Sequence, residues 1–337
     1  MRRRKIIALC LLCSFLFAIA SCGRTKEEGE KTLKFAYICK DLNHYWFQQV
    51  SGGIEEKCME LGVMYDSFDA GYDNDQCIDL VKQVIKEDYD GLMLCVTNQY
   101  LGRKIGELCQ EADLPVIAID DSIKDAQGRE FPLVSMALRE LGSLGGSALA
   151  KMAQEEEFPV ESGKVRILET LVPDLSTFQE RMEGYEEALF ASLSLQKEDV
   201  VNLESSTGMY KENYEAAEEY FRENPPEEDS WWIICGANDD CALAPMHVLQ
   251  KLGISQDQIL ACGLGGYDLS VEEFQARNTN YITVMAQPDV EGAQAAEMMY
   301  NYLVEGTEMK PSIILGGTVA TCDNYLIYFE SSDRQPG

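Results

Sequence analysis

Histidine is nearly missing from this chain. Only two of its 337 residues are histidines, His44 and His247, and no C-x-x-C pair occurs beyond residue 21. Transition-metal sites built from imidazole and thiolate clusters need more than this, so neither a metal nor a cofactor is expected. Cations are also scarce: 28 Lys and Arg stand against 58 Asp and Glu, a formal charge of −30. Such a chain is repelled by phosphate backbones, which removes nucleic acid as a partner. A phosphate loop and a G-x-S-x-G nucleophile elbow are absent too. The run GLGG at 263–266 lacks the order of a dinucleotide turn and reads as a tight turn or a close backbone approach. Past residue 21 no apolar run approaches the roughly 18 residues that suggest a membrane-spanning helix.

What is present begins with MRRRKIIALCLLCSFLFAIASC. A basic start, a short apolar stretch and small residues before Cys22 make residues 1–21 a secretory leader, too short and wrongly flanked to span a membrane. Ile19-Ala20-Ser21-Cys22 resembles a bacterial lipobox, in which cleavage precedes a cysteine that carries lipid. Cys22 is thus the expected lipidation site, and residues 22–32 a flexible tether. The expected location is extracytoplasmic, anchored to the cell membrane. Four cations leave with the leader, so the formal charge of −30 becomes about −34. Of twelve cysteines, those beyond Cys22 lie scattered in strand and helix patterns (Cys39, Cys95, Cys235, Cys262) and read as small buried hydrophobes.

From residue 33 the pattern alternates. Strand-length apolar runs are LKFAYIC (33–39), VMYDSF (63–68), GLMLCV (91–96), PVIAID (115–120), KVRILET (164–170), VVNLES (200–205), WWIICGA (231–237), ILACGL (259–264) and YITVMA (281–286). Amphipathic stretches of helical period separate them, one opened by the capping pair Asp73-x-x-Gln76. Apolar strands alternating with helices predict an α/β fold whose parallel sheets are covered on both faces. Two successive sets, 33–137 and 138–285, predict two similar Rossmann-like lobes. In such sheets ligands sit beyond the carboxyl ends of the strands. Those ends carry Lys40, His44, Trp46 and Phe47; Asp120 and Asp121; Arg181; Asn238, Asp239 and Asp240; and Gly265, Gly266 and Asp268.

These segments, in order, resemble the arabinose-binding branch of the type I periplasmic sugar-binding proteins. The resemblance runs from about 33 to 330. It rests on YICKDLNHYWFQ, VIAIDDSI, PLVSMA, LSTFQERMEG, GANDD, GLGGYD and AQPDVEGAQAAEMMYNYLV. It implies two lobes joined by a three-segment hinge: 33–137 with 286–316, and 138–285 with 317–332. It implies a monomer that captures a monosaccharide, arabinose- or galactose-like, and delivers it to a membrane ABC permease without transforming it. The alternative is a sugar sensor presenting its ligand to a chemoreceptor or histidine kinase. By position, Lys40 matches a lysine that donates to a sugar hydroxyl, and Trp46 and Phe47 match aromatics beside the ring. Asp120 and Asp121 match paired aspartates, Met136 a methionine at the first crossing, and Thr177 and Arg181 the second-lobe loop. Asn238 matches an amide ligand and Asp268 a nearby aspartate. Two positions depart: His44 stands where the family has a glutamate, and Gly265 where it has an asparagine.

The residue types suit a polyol. A hydroxyl both donates and accepts, so carboxylates, cations and amides together satisfy it, and a sugar's C–H face packs on an aromatic ring. Each residue also has a plainer reading. Trp46 could be core, Lys40 a solvated strand-end charge, Arg181 half of a structural ion pair, and Asn238 a helix cap. Thr177-x-x-Glu180 fits a capping box. His44, if it lies in the cleft, would make affinity depend on pH near neutrality. An enzyme is not expected: glycosidase carboxylates face each other across the scissile bond, ~5 Å or more apart, whereas Asp120 and Asp121 are adjacent in the chain.

Overall fold

The computed structural model describes residues 32–173 and 175–329. The leader, Cys22, nearly all of the tether and residues 330–332 lie outside the described residues.

All nine apolar runs form strands. In the first half β1 (Lys34–Cys39), β2 (Met64–Asp69), β3 (Gly91–Leu94) and β4 (Val116–Ile119) alternate with α1 (Tyr45–Leu61), α2 (Asn74–Lys86) and α3 (Gly102–Glu111). A short β5 (Leu133–Met136) follows. The second half repeats the scheme: α4 (Leu138–Glu155), β6 (Val165–Leu171), α5 (Ser176–Ser192), β7 (Val200–Glu204), α6 (Tyr210–Glu223), β8 (Trp231–Cys235), α7 (Asp239–Lys251), β9 (Ile259–Gly265), α8 (Asp268–Gln275) and β10 (Tyr281–Met285). Helix α9 (Pro288–Glu305), strands β11 (Ser312–Leu315) and β12 (Thr318–Ala320) and a short α10 (Tyr325–Phe329) complete the chain.

Two six-stranded sheets result, ordered β11-β5-β4-β3-β1-β2 and β12-β10-β9-β8-β6-β7. Every pairing is parallel except β10 with β12. The chain passes from one sheet to the other three times: after Met136, after Met285, and between Leu315 and Thr318. In each sheet the order reverses beside its first strand, β1 or β6. A doubly wound sheet opens its crevice there, at the carboxyl ends.

Central strands are buried on both faces and correspondingly apolar; edge strands β2 and β7 are partly exposed and carry Asp66, Asn202 and Glu204. Asp73 caps α2, its Oδ1 accepting from Gln76 N at 2.9 Å. Nine cysteines among the described residues are buried free thiols, and burial pushes Cys58, Cys109 and Cys262 up to about 12. They pack as apolar residues. No helix of the described residues is long and apolar enough to cross a membrane.

Two helix pairs approach backbone to backbone where glycine removes the side chain. A Cβ on Gly53 (α1) would lie 1.9 Å from Asp289 O, at the start of α9. A Cβ on Gly142 (α4) would lie 2.0 Å from Arg181 O in α5. The second contact matters for the site, because it fixes the helix that carries Arg181. The Gly142→Ala variant must push α5 away. Urea unfolding should show it about 1–3 kcal/mol less stable; an unchanged midpoint would contradict the contact.

Candidate functional site

Loops at the carboxyl ends of both sheets converge on one cavity. From the first sheet come Lys40 behind β1, His44, Trp46 and Phe47 at the start of α1, Tyr72 behind β2 and Asp120 behind β4. From the second come Leu175, Thr177, Phe178 and Arg181 behind β6, Thr207 behind β7, Asn238 behind β8 and Tyr267 behind β9. The space open to the centres of water-sized molecules is about 40 Å³. Adding one water radius all round turns this into an envelope of about 180 Å³, the scale of one sugar ring.

One end of the cavity is ionic. Strand β4 stops at Ile119, and Asp120 takes the left-handed conformation, with φ 66°. This is a costly backbone state for a residue with a side chain. Ser135 Oγ donates to Asp120 O at 2.8 Å, and Asp121 N donates to Ile119 O at 2.8 Å. The sharp turn separates the two carboxylates. Asp121 reaches back to accept from Lys40 Nζ, whereas Asp120 lies toward the other sheet, its Oδ1 3.8 Å from Arg181 Nη2. Arg181 is held by Nη1 donating to Ala237 O at 2.7 Å.

Burial alone would discharge Lys40, but Asp121 and Asp120 hold the ammonium well above its usual range. Burial, then Asp121, raises Asp120, against the pull of Arg181 and Lys40. Glu291, in the first turn of α9, feels Asp120, Arg181 and Asp121 and is driven far above the carboxylate range, burial being the largest cause. It is therefore a neutral acid. Two cationic side chains, Lys40 and Arg181, thus face two carboxyl side chains, Asp120 and Asp121, and their formal charges cancel. A neutral guest suits this cluster; an ion of either sign would unbalance it. Asp120 Oδ1, Arg181 Nε and Trp46 Nε1 are buried and have no hydrogen-bond partner. Such atoms are costly unless something satisfies them.

The other end is aromatic. His44 caps α1, its Nδ1 accepting from Trp46 N at 3.2 Å. That bond leaves the proton of the neutral ring on Nε2, 4.0 Å from Asp240 Oδ2. Tyr267 meets His44 edge-on at 5.2 Å and Tyr45 at 5.4 Å. The two halves thus touch at both ends of the cavity.

Eight of the expected residues line it: Lys40, His44, Trp46, Phe47, Asp120, Thr177, Arg181 and Asn238. Four do not. Asp121 is fully buried behind Lys40. Met136 lines a separate groove with Arg139 and Glu180. Gly265 has no side chain to offer, and Asp268 is exposed at the start of α8. Asn238 takes the helix-cap role, its Oδ1 accepting from Cys241 N at 2.8 Å and its Nδ2 donating to Gly208 O at 3.1 Å. Thr177 is not a cap, since α5 starts after Leu175 without a side-chain bond. His247 is half-buried in α7, bonded to Tyr210 and Glu273. Tyr72, Leu175, Phe178, Thr207 and Tyr267 were not foreseen; each lies in the loop or first helical turn behind a strand's carboxyl end, which was the available signal. Cys95, Asp120 and Asp121 lie close enough to share a metal, yet Lys40 already neutralises Asp121 and burial pushes the Cys95 thiol well up.

A family model described as periplasmic binding protein domain matches residues 35–308. The chain belongs to this family. Its members bind solutes and are not enzymes. Over 302 residues, 87% of this chain and 90% of the relative, it is 25% identical to the L-arabinose-binding periplasmic protein of Escherichia coli (strain K12). A solute-binding protein of an ABC transporter from Clostridium phytofermentans, solved with β-D-glucose, superposes with a TM-score of 0.77. That match has 13% identity and covers 90% of this chain and 98% of that one. One from Actinobacillus succinogenes 130z, solved with D-allose, gives a TM-score of 0.72, 18% identity and coverage of 88% and 100%. These two matches establish the type I fold.

The cleft titrates differently from the expectation for His44. Burial pulls His44 down to about 4, so it stays neutral near pH 7. Asp240 is the group that titrates there, pushed up to about 7 by burial and then by Asp239. Its folded pKa is raised, so the folded chain keeps a proton that the unfolded chain releases. Its contribution is full below about pH 4 and is lost as pH rises through 7. The Asp240→Asn variant should therefore gain in Tm relative to the unmodified protein from pH 5 to 8. A constant difference across that range would refute the raised pKa.

Proposed function

We propose that this protein is an extracytoplasmic lipoprotein, anchored through Cys22, that encloses one neutral monosaccharide, arabinose- or galactose-like, and hands it to a membrane ABC permease. One observation carries the reading. Asp120, Trp46 and Arg181, two from the first half and one from the second, line a cavity of single-ring size, and each holds a buried polar atom (Oδ1, Nε1 and Nε) without a hydrogen-bond partner. Hydroxyls can accept from the two N–H groups and donate to the carboxylate, and charge-assisted bonds of this kind are short and strong. Phe47 and Phe178 offer faces for C–H groups. Micromolar affinity requires only about 8 kcal/mol in all, within reach of a few such bonds and one stacked ring. The sugars named for the relatives are of the same class.

A thermal-shift screen of monosaccharides tests this. A true ligand at 100 times its Kd adds about 2.7 kcal/mol of stability. Two mild variants then locate it: Trp46→Phe keeps a ring and removes the donor, and Arg181→Gln removes the charge. Each should weaken that ligand at least tenfold by calorimetry. If both bind as well as the unmodified protein, the sugar lies elsewhere.

A further inference from the structure

Gly265 and Tyr267 exclude each other's alternatives. Gly265 closes β9 with φ 122°, and a Cβ built there would lie 2.3 Å from Cε1 of Tyr267. No side chain at 265 can coexist with the Tyr267 ring where it stands. The ring takes the position from which a residue at the end of β9 would otherwise reach into the cleft. It is fixed from two directions. Tyr267 N donates to the fully buried Asp239 Oδ2 at 2.7 Å, and Asp239 Oδ1 accepts in turn from Tyr281 Oη at 2.7 Å and Thr283 Oγ1 at 2.5 Å. Across the cleft, His44 stands edge-on to the ring with an interplanar angle of 86°, and Tyr45 packs beside it. Only 7% of Tyr267 is exposed.

The consequence is a cavity with unlike ends. Ions and unpartnered polar atoms gather at Asp120 and Arg181; a rigid aromatic wall stands at Tyr267 and His44. A guest oriented by its hydroxyls at the ionic end brings its far edge against that wall. An exocyclic hydroxymethyl on this edge would need room, and the Tyr267 ring already fills that edge of an envelope of about 180 Å³.

We infer that Tyr267 sets specificity, and that the guest is an aldopentose in its pyranose form, whose ring carries a bare methylene where a hexose carries its hydroxymethyl arm. This rests on the sugar reading above and narrows it. Nothing reacts; the discrimination is steric, and one unaccommodated CH₂OH is expected to cost at least tenfold in affinity.

Sugars matched in ring configuration provide the test: L-arabinose with D-galactose, D-xylose with D-glucose, D-ribose with D-allose. Calorimetric titration of the unmodified protein should show the pentose of the best-binding pair at least tenfold tighter than its hexose. Tyr267→Ala should lower that preference at least tenfold by admitting the arm, while Tyr267→Phe, which keeps the ring, should preserve it. Equal or tighter hexose binding by the unmodified protein overturns the inference and leaves the sugar reading intact, as does a preference unchanged in Tyr267→Ala. Tighter binding of the 6-deoxy sugar L-fucose than of any pentose overturns it too. If none of the six matched sugars binds, the sugar reading falls and takes the inference with it.

Discussion

Two cations and two carboxylates buried within one small volume form the constraint that organises this molecule. Lys40, Asp120 and Asp121 come from one sheet and Arg181 from the other. Removing such groups from water is expensive unless each finds a counter-charge. The first half alone holds one cation against two carboxylates; Arg181 supplies the missing charge only when the halves meet. A neutral guest can share the space between these charges without upsetting the balance.

The fold delivers those charges by repetition. Each half places its first strand at the point where the sheet order reverses, so Lys40 and the Arg181 loop emerge at equivalent positions. Each half also lays a glycine-backed helix pair over its sheet. Gly142 brings α4 against the carbonyl of Arg181, and Gly53 brings α1 against Asp289, two residues before Glu291. The helix contacts and the site are thus one construction. The left-handed Asp120 is what sends two adjacent carboxylates to different partners.

The central strands were legible because burial on both faces forces continuous apolar runs. Strands β5, β11 and β12, of four, four and three residues, were not read: they are too short for a period, and two of them are sheet edges. Residues placed by strand-end logic alone, such as Lys40 and Arg181, reached the cavity. Asp121 did not, since a neighbour in sequence points elsewhere when the strand ends in a turn. Tyr267 was missed for the opposite reason. A sequence shows only the missing side chain at Gly265, and the ring that fills its place appears with the fold. His44 titrating near 4 instead of near neutrality reflects burial, which no sequence window displays.

If Asp120 and Arg181 act on the guest as one unit across the cleft, their contributions to affinity are coupled. A double-mutant cycle on sugar affinity, with Asp120→Asn, Arg181→Gln and the pair, measures this directly. The combined loss should be smaller than the sum of the single losses, by about 1–3 kcal/mol. Strict additivity would mean that the two charges act independently, and it would contradict the account.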